Sequence, residues 1–122
     1  MTREQAIEGV AEALKRLAAP AAAAKVTVCF ETHDAWCDPA DVAAVLRRVD
    51  HPNIAANWDI LHPVRTGKAT IEASYQALKP WIRHTHVHDW SNNALAPIGT
   101  GTIDHKKALT LLRDGAYQGA LS

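Results

Sequence analysis

The run HTHVHDW, His84 to Trp90, concentrates three histidines and an aspartate in a segment otherwise suited to a β-strand. Side chains two apart in a strand share a face, so His84, His86 and His88 line one side while Thr85, Val87 and Asp89 point to the other. Imidazoles facing one space suit a divalent metal, a proton carrier or an anion-binding wall. The plainer alternative is a solvent-facing edge strand with incidental histidines. Two further segments end in groups of related chemistry: CFETH carries Glu31 and His33, and NWDILH carries Asp59 and His62. Carboxylates and an imidazole on three neighbouring strand ends would hold one divalent cation. Mixed oxygen and nitrogen ligands suit Mn, Mg, Co or Zn without choosing among them.

Parity supports convergence. Thr27, Cys29 and Glu31 share a face, as do Ala55, Asn57 and Asp59, and His84, His86 and His88. The opposite faces of the first two strands carry Val26, Val28, Phe30 and Ile54, Ala56, Trp58, which suit packing under helices. The third strand is the exception, because its opposite face, Arg83, Thr85, Val87 and Asp89, is less apolar.

The elements that must position these residues follow from spacing. Ala6, Val10, Leu14 and Leu17 repeat at helical intervals over Thr2 to Ala19, and Pro20 is expected to end that helix in an alanine-rich connector. The segment KVTVCFE reads as a strand. Asp38 as N-cap, Pro39 in the first turn and the stripe Val42, Val45, Leu46, Val49 predict an amphipathic helix. NIAANWD is a second strand, Lys68 to Leu78 a helix, WIRHTHVHD a third strand, and Asp104 to Arg113 a helix closed by Gly115. The terminal GALS resembles the start of a fourth strand. Strands alternating with helices of about ten residues mean βαβ units and a parallel sheet, so the fold class is α/β.

Composition narrows the partners. With 122 residues the chain holds at most one small domain. Thirteen basic residues balance thirteen acidic ones, so no basic field recruits nucleic acid. No apolar stretch approaches the ~20 residues of a membrane span, and no secretory leader is visible. Cys29 and Cys37 do not make a disulfide framework, and a reducing, cytoplasmic setting is expected.

The ordered set CFETH, NWDILH (D-x-x-H), HTHVHD (H-x-H-x-x-D) and PIGTGTID followed by LLRDGAYQGALS resembles the sugar phosphate isomerase/epimerase family, which includes xylose isomerase-like proteins and is distantly akin to endonuclease IV. The resemblance covers roughly residues 26 to 122. It implies the C-terminal half of a (β/α)8 TIM barrel, running from the fourth helix to the start of the eighth strand, with Glu31, Asp59 and His86 as ligands of one divalent metal. It further implies substrate contacts from His62 and His33, and support behind the ligands from Asp89, which would orient His86 or its loop; from the residues alone, Trp36 in its strand-end loop is the tryptophan placed to contact a sugar substrate, and His84 reads as a supporting histidine. Glu31 would also be catalytic, moving a proton beside a carbonyl while the metal holds an enediolate. The family's fourth ligand, a glutamate on the eighth strand, is expected beyond Ser122. The implied substrate is a sugar or sugar phosphate, with isomerisation or epimerisation weak or absent in a half-barrel, whose open edges invite self-association.

Other readings stand beside these. Asp59 with His62 equally suits a cap on the following helix, and a chain without the last glutamate could be an inactive or simply metal-binding half-barrel. An endonuclease-like metal hydrolase would need a D-x-H pair where SNNALAP stands, together with a basic groove. Trp58, Trp81 and Trp90 read as packing residues, Gly99 to Gly101 as a turn, and His105, Lys106 and Lys107 as a solvated helix face.

Overall fold

The computed structural model describes residues 1–122. Helix α1 (Arg3–Ala24) leads into strand β1 (Val28–Glu31), followed by α2 (Pro39–Val49), β2 (Ile54–Asp59), α3 (Leu61–Arg65), α4 (Ile71–Leu78) and β3 (Ile82–His86). A short hairpin, β4 (Asp89–Ser91) and β5 (Ala94–Ala96), precedes α5 (His105–Asp114) and β6 (Ala120–Leu121). The main sheet is parallel in the order β1-β2-β3-β6, so β2 and β3 are interior and β1 and β6 are its edges. This is an α/β fold of parallel strands alternating with helices, as the patterning requires.

Most helix boundaries have visible chemical causes. Thr2 and Gln5 form a reciprocal capping box at the start of α1, and the Asp38 carboxylate accepts from the Ala40 N–H with Pro39 in the first turn of α2. Asp104 caps α5 through the Lys107 N–H, and Gly115 ends it. Pro20 does not end α1. The helix runs on to Ala24 and stops only at Lys25, whose φ of 56° is left-handed. Alanine surrounds the proline, and Ala18 and Ala21 are buried, so high propensity and packing outweigh one missing hydrogen bond. The helix expected from Lys68 begins at Ile71, where the Thr70 hydroxyl accepts from the Ala73 N–H.

The core joins one face of α1 (Ile7, Ala11, Leu14, Ala18) to α2, α4, α5 and the sheet. β2 is buried along its whole length, and Trp58 is fully enclosed, its indole N–H donating to the Ser74 hydroxyl at 2.8 Å. The odd composition of the third strand has a structural answer. Ala56 pairs with Ile82, but its neighbour Asn57 pairs with His84, so the register shifts around Arg83. Strict alternation would place Ile82 and His84 on one face. The irregularity lets Ile82 join the core with Ala56 while His84 and His86 align with Asn57 and Asp59.

Trp58→Phe is expected to cost about 1–3 kcal/mol in urea unfolding, because it leaves the Ser74 hydroxyl unpartnered and a gap beside it. Adding Ser74→Ala should recover part of that loss. Strictly additive destabilisation would show that the indole–hydroxyl bond is not what couples the two positions.

Candidate functional site

Three strand ends deliver the predicted groups to one place. One ligand atom from each of Glu31, Asp59 and His86 lies within 4.8 Å of the others. His86 Nδ1 is 2.7 Å from Glu31 Oε1. Backbone pairing sets this spacing: Glu31 is in register with Asn57, and Asp59 with His86. Thr32 locks the ends of β1 and β2 together, since its buried hydroxyl accepts from the Asp59 N–H at 3.0 Å and donates to the Asp59 carbonyl at 3.1 Å. The Ile60 N–H donates to the His86 carbonyl, fixing the ends of β2 and β3 likewise.

Asp59 divides its two carboxylate oxygens. Its side chain is fully buried, and Oδ1 accepts from the Leu61 and His62 N–H groups, which starts α3. Oδ2 faces the site, 3.0 Å from His88 Nδ1 and 3.8 Å from His62 Nε2. Burial pushes the His62 pKa below its ordinary 6.5; the carboxylate of Asp59 opposes this, and His33, Arg65 and His88 reinforce it.

The other imidazoles extend the wall. His84 lies edge-on to His86 at 5.3 Å, and His86 to His88 at 6.0 Å, although β3 ends at His86. His84 Nε2 is 2.9 Å from the Ser122 hydroxyl, so this residue ties β3 to the last residues of the chain. The His33 ring packs against His62 with centroids 4.0 Å apart, tilted by 59°. A cleft of about 290 Å³ beside this group is lined by His33, Leu61, His62, Arg65, His88, Trp90 and Leu95.

The chain's relationships follow the same geometry. The model of the xylose isomerase-like TIM-barrel family matches residues 1–122. The chain belongs to this family. A 3-dehydroshikimate dehydratase of Bacillus anthracis is 42% identical over 48 residues, 39% of this chain and 17% of that protein. The crystal structure of a probable 3-DHS dehydratase from the same organism superposes with a TM-score of 0.80 at 21% identity, over all of this chain and 52% of its own. A 3-keto-D-glucoside 4-epimerase from E. coli gives a TM-score of 0.81 at 19% identity over 99% and 46%. A D-allulose 3-epimerase from Methylomonas sp. gives 0.80 at 20% over 94% and 41%. This xylose isomerase-like chain thus spans about half the length of the solved relatives it matches.

Several assignments change within that family frame. Trp36 does not line the cleft; it packs edge-on against Phe30 at 5.1 Å and under the Arg3 guanidinium at 4.1 Å. Trp90 lines the cleft instead, with the Arg65 guanidinium 4.7 Å above its ring. Asn57 went unassigned in the sequence, yet its amide nitrogen lies 3.2 Å from His86 Nδ1, and its Oδ1 is buried without a partner. The signal was its place between Ala55 and Asp59 on the polar face. Of the two roles expected of Asp89 the structure takes the second: it makes no bond to His86 and holds the loop. Its carboxylate accepts from the N–H groups of Trp90, Gly99, Gly101 and Ile103. Any Cβ at Gly101 would overlap that carboxylate. His105 is no solvated residue: it is buried, with Nε2 3.5 Å from Asp89 Oδ2.

Burial alone would raise the Asp89 pKa, but the Gly101, Ile103, Trp90 and Gly99 N–H donors outweigh it and hold the carboxyl well below its ordinary 3.8. A depressed folded-state pKa contributes stability that is fully present above the unfolded value and is lost as pH falls through the folded one. Asp89→Asn should lower the melting temperature at neutral pH and flatten its further decline below about pH 4. Thermal melts across the acid range check this; an acid limb as steep as the parent's would remove Asp89 as its cause.

Proposed function

We propose that Glu31, Asp59 and His86 hold one divalent cation and that the site removes a proton from the carbon next to a carbonyl in a hydroxylated small molecule, a sugar or sugar phosphate. The observation that carries this reading is the approach of three ligand atoms, two carboxylate and one imidazole, to within 4.8 Å of one another from three separate strands. The fit is supported by buried polar atoms without partners on adjoining residues, Asn57 Oδ1 and His62 Nδ1. The donor set suits Mn, Mg, Co or Zn. In a whole barrel, residues 1–122 would run from the fourth helix to the start of the eighth strand, whose glutamate would complete the set.

The two carboxylates divide the work by exposure. The Glu31 side chain is 31% exposed and that of Asp59 is 0%, so Glu31 is the base that a substrate can reach. His86, at 2.7 Å, orients the Glu31 carboxylate. A cation held by Glu31, Asp59 and His86 would supply positive charge to offset the negative charge that develops as the proton leaves. Protonation of the same carbon from the opposite face, by a group of the rest of the barrel, inverts the centre; protonation of the former carbonyl carbon, with the neighbouring hydroxyl proton passing to the former carbonyl oxygen, moves the carbonyl. The epimerase folds among the relatives accord with these outcomes. A second reading follows from the 42% identity to a 3-dehydroshikimate dehydratase: the same first step, followed by departure of a neighbouring hydroxyl as water.

Calorimetric titration with Mn²⁺ tests the assignment. One-to-one binding is expected, weakened by about ten- to a hundred-fold or more in a Glu31→Gln, His86→Ala variant, in keeping with the loss of ligands. Failure to bind, or binding unchanged in the variant, would end the reading. Where the remaining barrel is present, Glu31→Gln should slow exchange of the substrate's activated hydrogen with ²H₂O by about 10²–10⁴-fold, the span of general-base catalysis. Exchange at the parent rate would clear Glu31 of that role.

A further inference from the structure

The cleft beside the cluster has a one-sided chemistry. Of its seven lining residues, three are histidines, one is arginine, and the others are Leu61, Trp90 and Leu95; none is acidic. Arg65 is its one permanent charge. The ion pairs made by the chain's other arginines and its lysines lie elsewhere, and no carboxylate reaches Arg65. The guanidinium stands 4.7 Å from the centre of the Trp90 ring, a cation–π contact that takes up one face and leaves the N–H edge free.

The supports of this pair are fixed. Arg65 is the last residue of α3, the helix begun by Asp59 Oδ1, while Trp90 follows Asp89 in the hairpin that the Asp89 carboxylate ties to the Gly99–Ile103 loop. Two strand-end loops therefore bring the cation and its aromatic platform together. The cleft also meets the cluster directly, because His88 and His62, which line it, stand 3.0 Å and 3.8 Å from Asp59 Oδ2.

We propose that Arg65, positioned on Trp90, receives an anionic group of the substrate, a carboxylate or a phosphate, and so selects an acidic substrate for the neighbouring cluster. This rests on the reading of Glu31, Asp59 and His86 as the reacting site. A planar guanidinium with a free edge matches either anion through paired N–H donors, and the buried Leu61 backs the cleft with an apolar wall.

The test follows the Arg65 Nε–H and Trp90 indole N–H resonances of the isotopically labelled chain during titration with shikimate, fructose 6-phosphate and neutral fructose, each with and without Mn²⁺. At least one of the two anions should shift both resonances and bind about ten- to a hundred-fold more tightly than fructose, the range for a charge-assisted pair. Arg65→Gln should abolish that preference, and Arg65→Lys should retain part of it. Shikimate ahead of fructose 6-phosphate names a carboxylate; the reverse order names a phosphate. Fructose binding as tightly as both anions, no binding of either anion, or a preference that survives Arg65→Gln would overturn the proposal. An anion preference in a chain that fails to bind Mn²⁺ would support the Arg65 assignment and remove the cluster reading. Mn²⁺ binding with no preference would remove the Arg65 assignment alone.

Discussion

A carboxylate with no exposed surface has to be fully answered by its neighbours, and Asp59 is such a group. One of its oxygens takes two backbone N–H groups and thereby starts α3; the other is left facing His88 and His62. The end of β2 is therefore a junction. The strand that fills the centre of the sheet, the helix that carries Arg65 and the imidazole wall are all anchored to one side chain. Thr32 secures the same point from β1, so the Glu31 carboxylate comes to lie where Asp59 and His86 can meet it.

Asp89 does for the following loop what Asp59 does for α3. Three N–H groups of the loop, from Gly99, Gly101 and Ile103, converge on it beside that of Trp90 in β4, and glycine at position 101 is required because no side chain fits against that carboxylate. The loop in turn holds the β4–β5 hairpin, whose two-residue turn at Asn92 and Asn93 has both φ angles positive, at 51° and 59°. Trp90 is presented to the cleft from this hairpin. A buried acid that organises backbone thus reaches the site through a neighbour, with no bond to a candidate ligand.

Much of this could be read from local pattern. The cap Asp38 marks a helix start because a side-chain oxygen must answer free N–H groups within three residues. The alternation of Glu31 and Asp59 with apolar neighbours places each on the polar face of its strand because a strand has a period of two. The signals that were missed are of another kind. Pro20 carries a local instruction that its alanine surroundings and buried face override. Trp36 and Trp90 are equivalent by composition, and only the closure of α3 against the hairpin decides which one lines the cleft.

The sequence by itself determined the α/β alternation, the polar face of each strand and the residue types collected at the strand ends. These depend on periodicities and capping bonds that span a few residues. The tertiary structure alone decided the register irregularity around Arg83, which lets Ile82 join the core while His84 and His86 align with the site. It also decided the division of Asp59 between helix and cleft, the placement of Asn57 against His86 and the seating of Arg65 on Trp90. Each of these joins segments that chain-local periodicity does not relate, and the pairing is chosen by which arrangement buries the core and leaves the fewest polar groups unanswered.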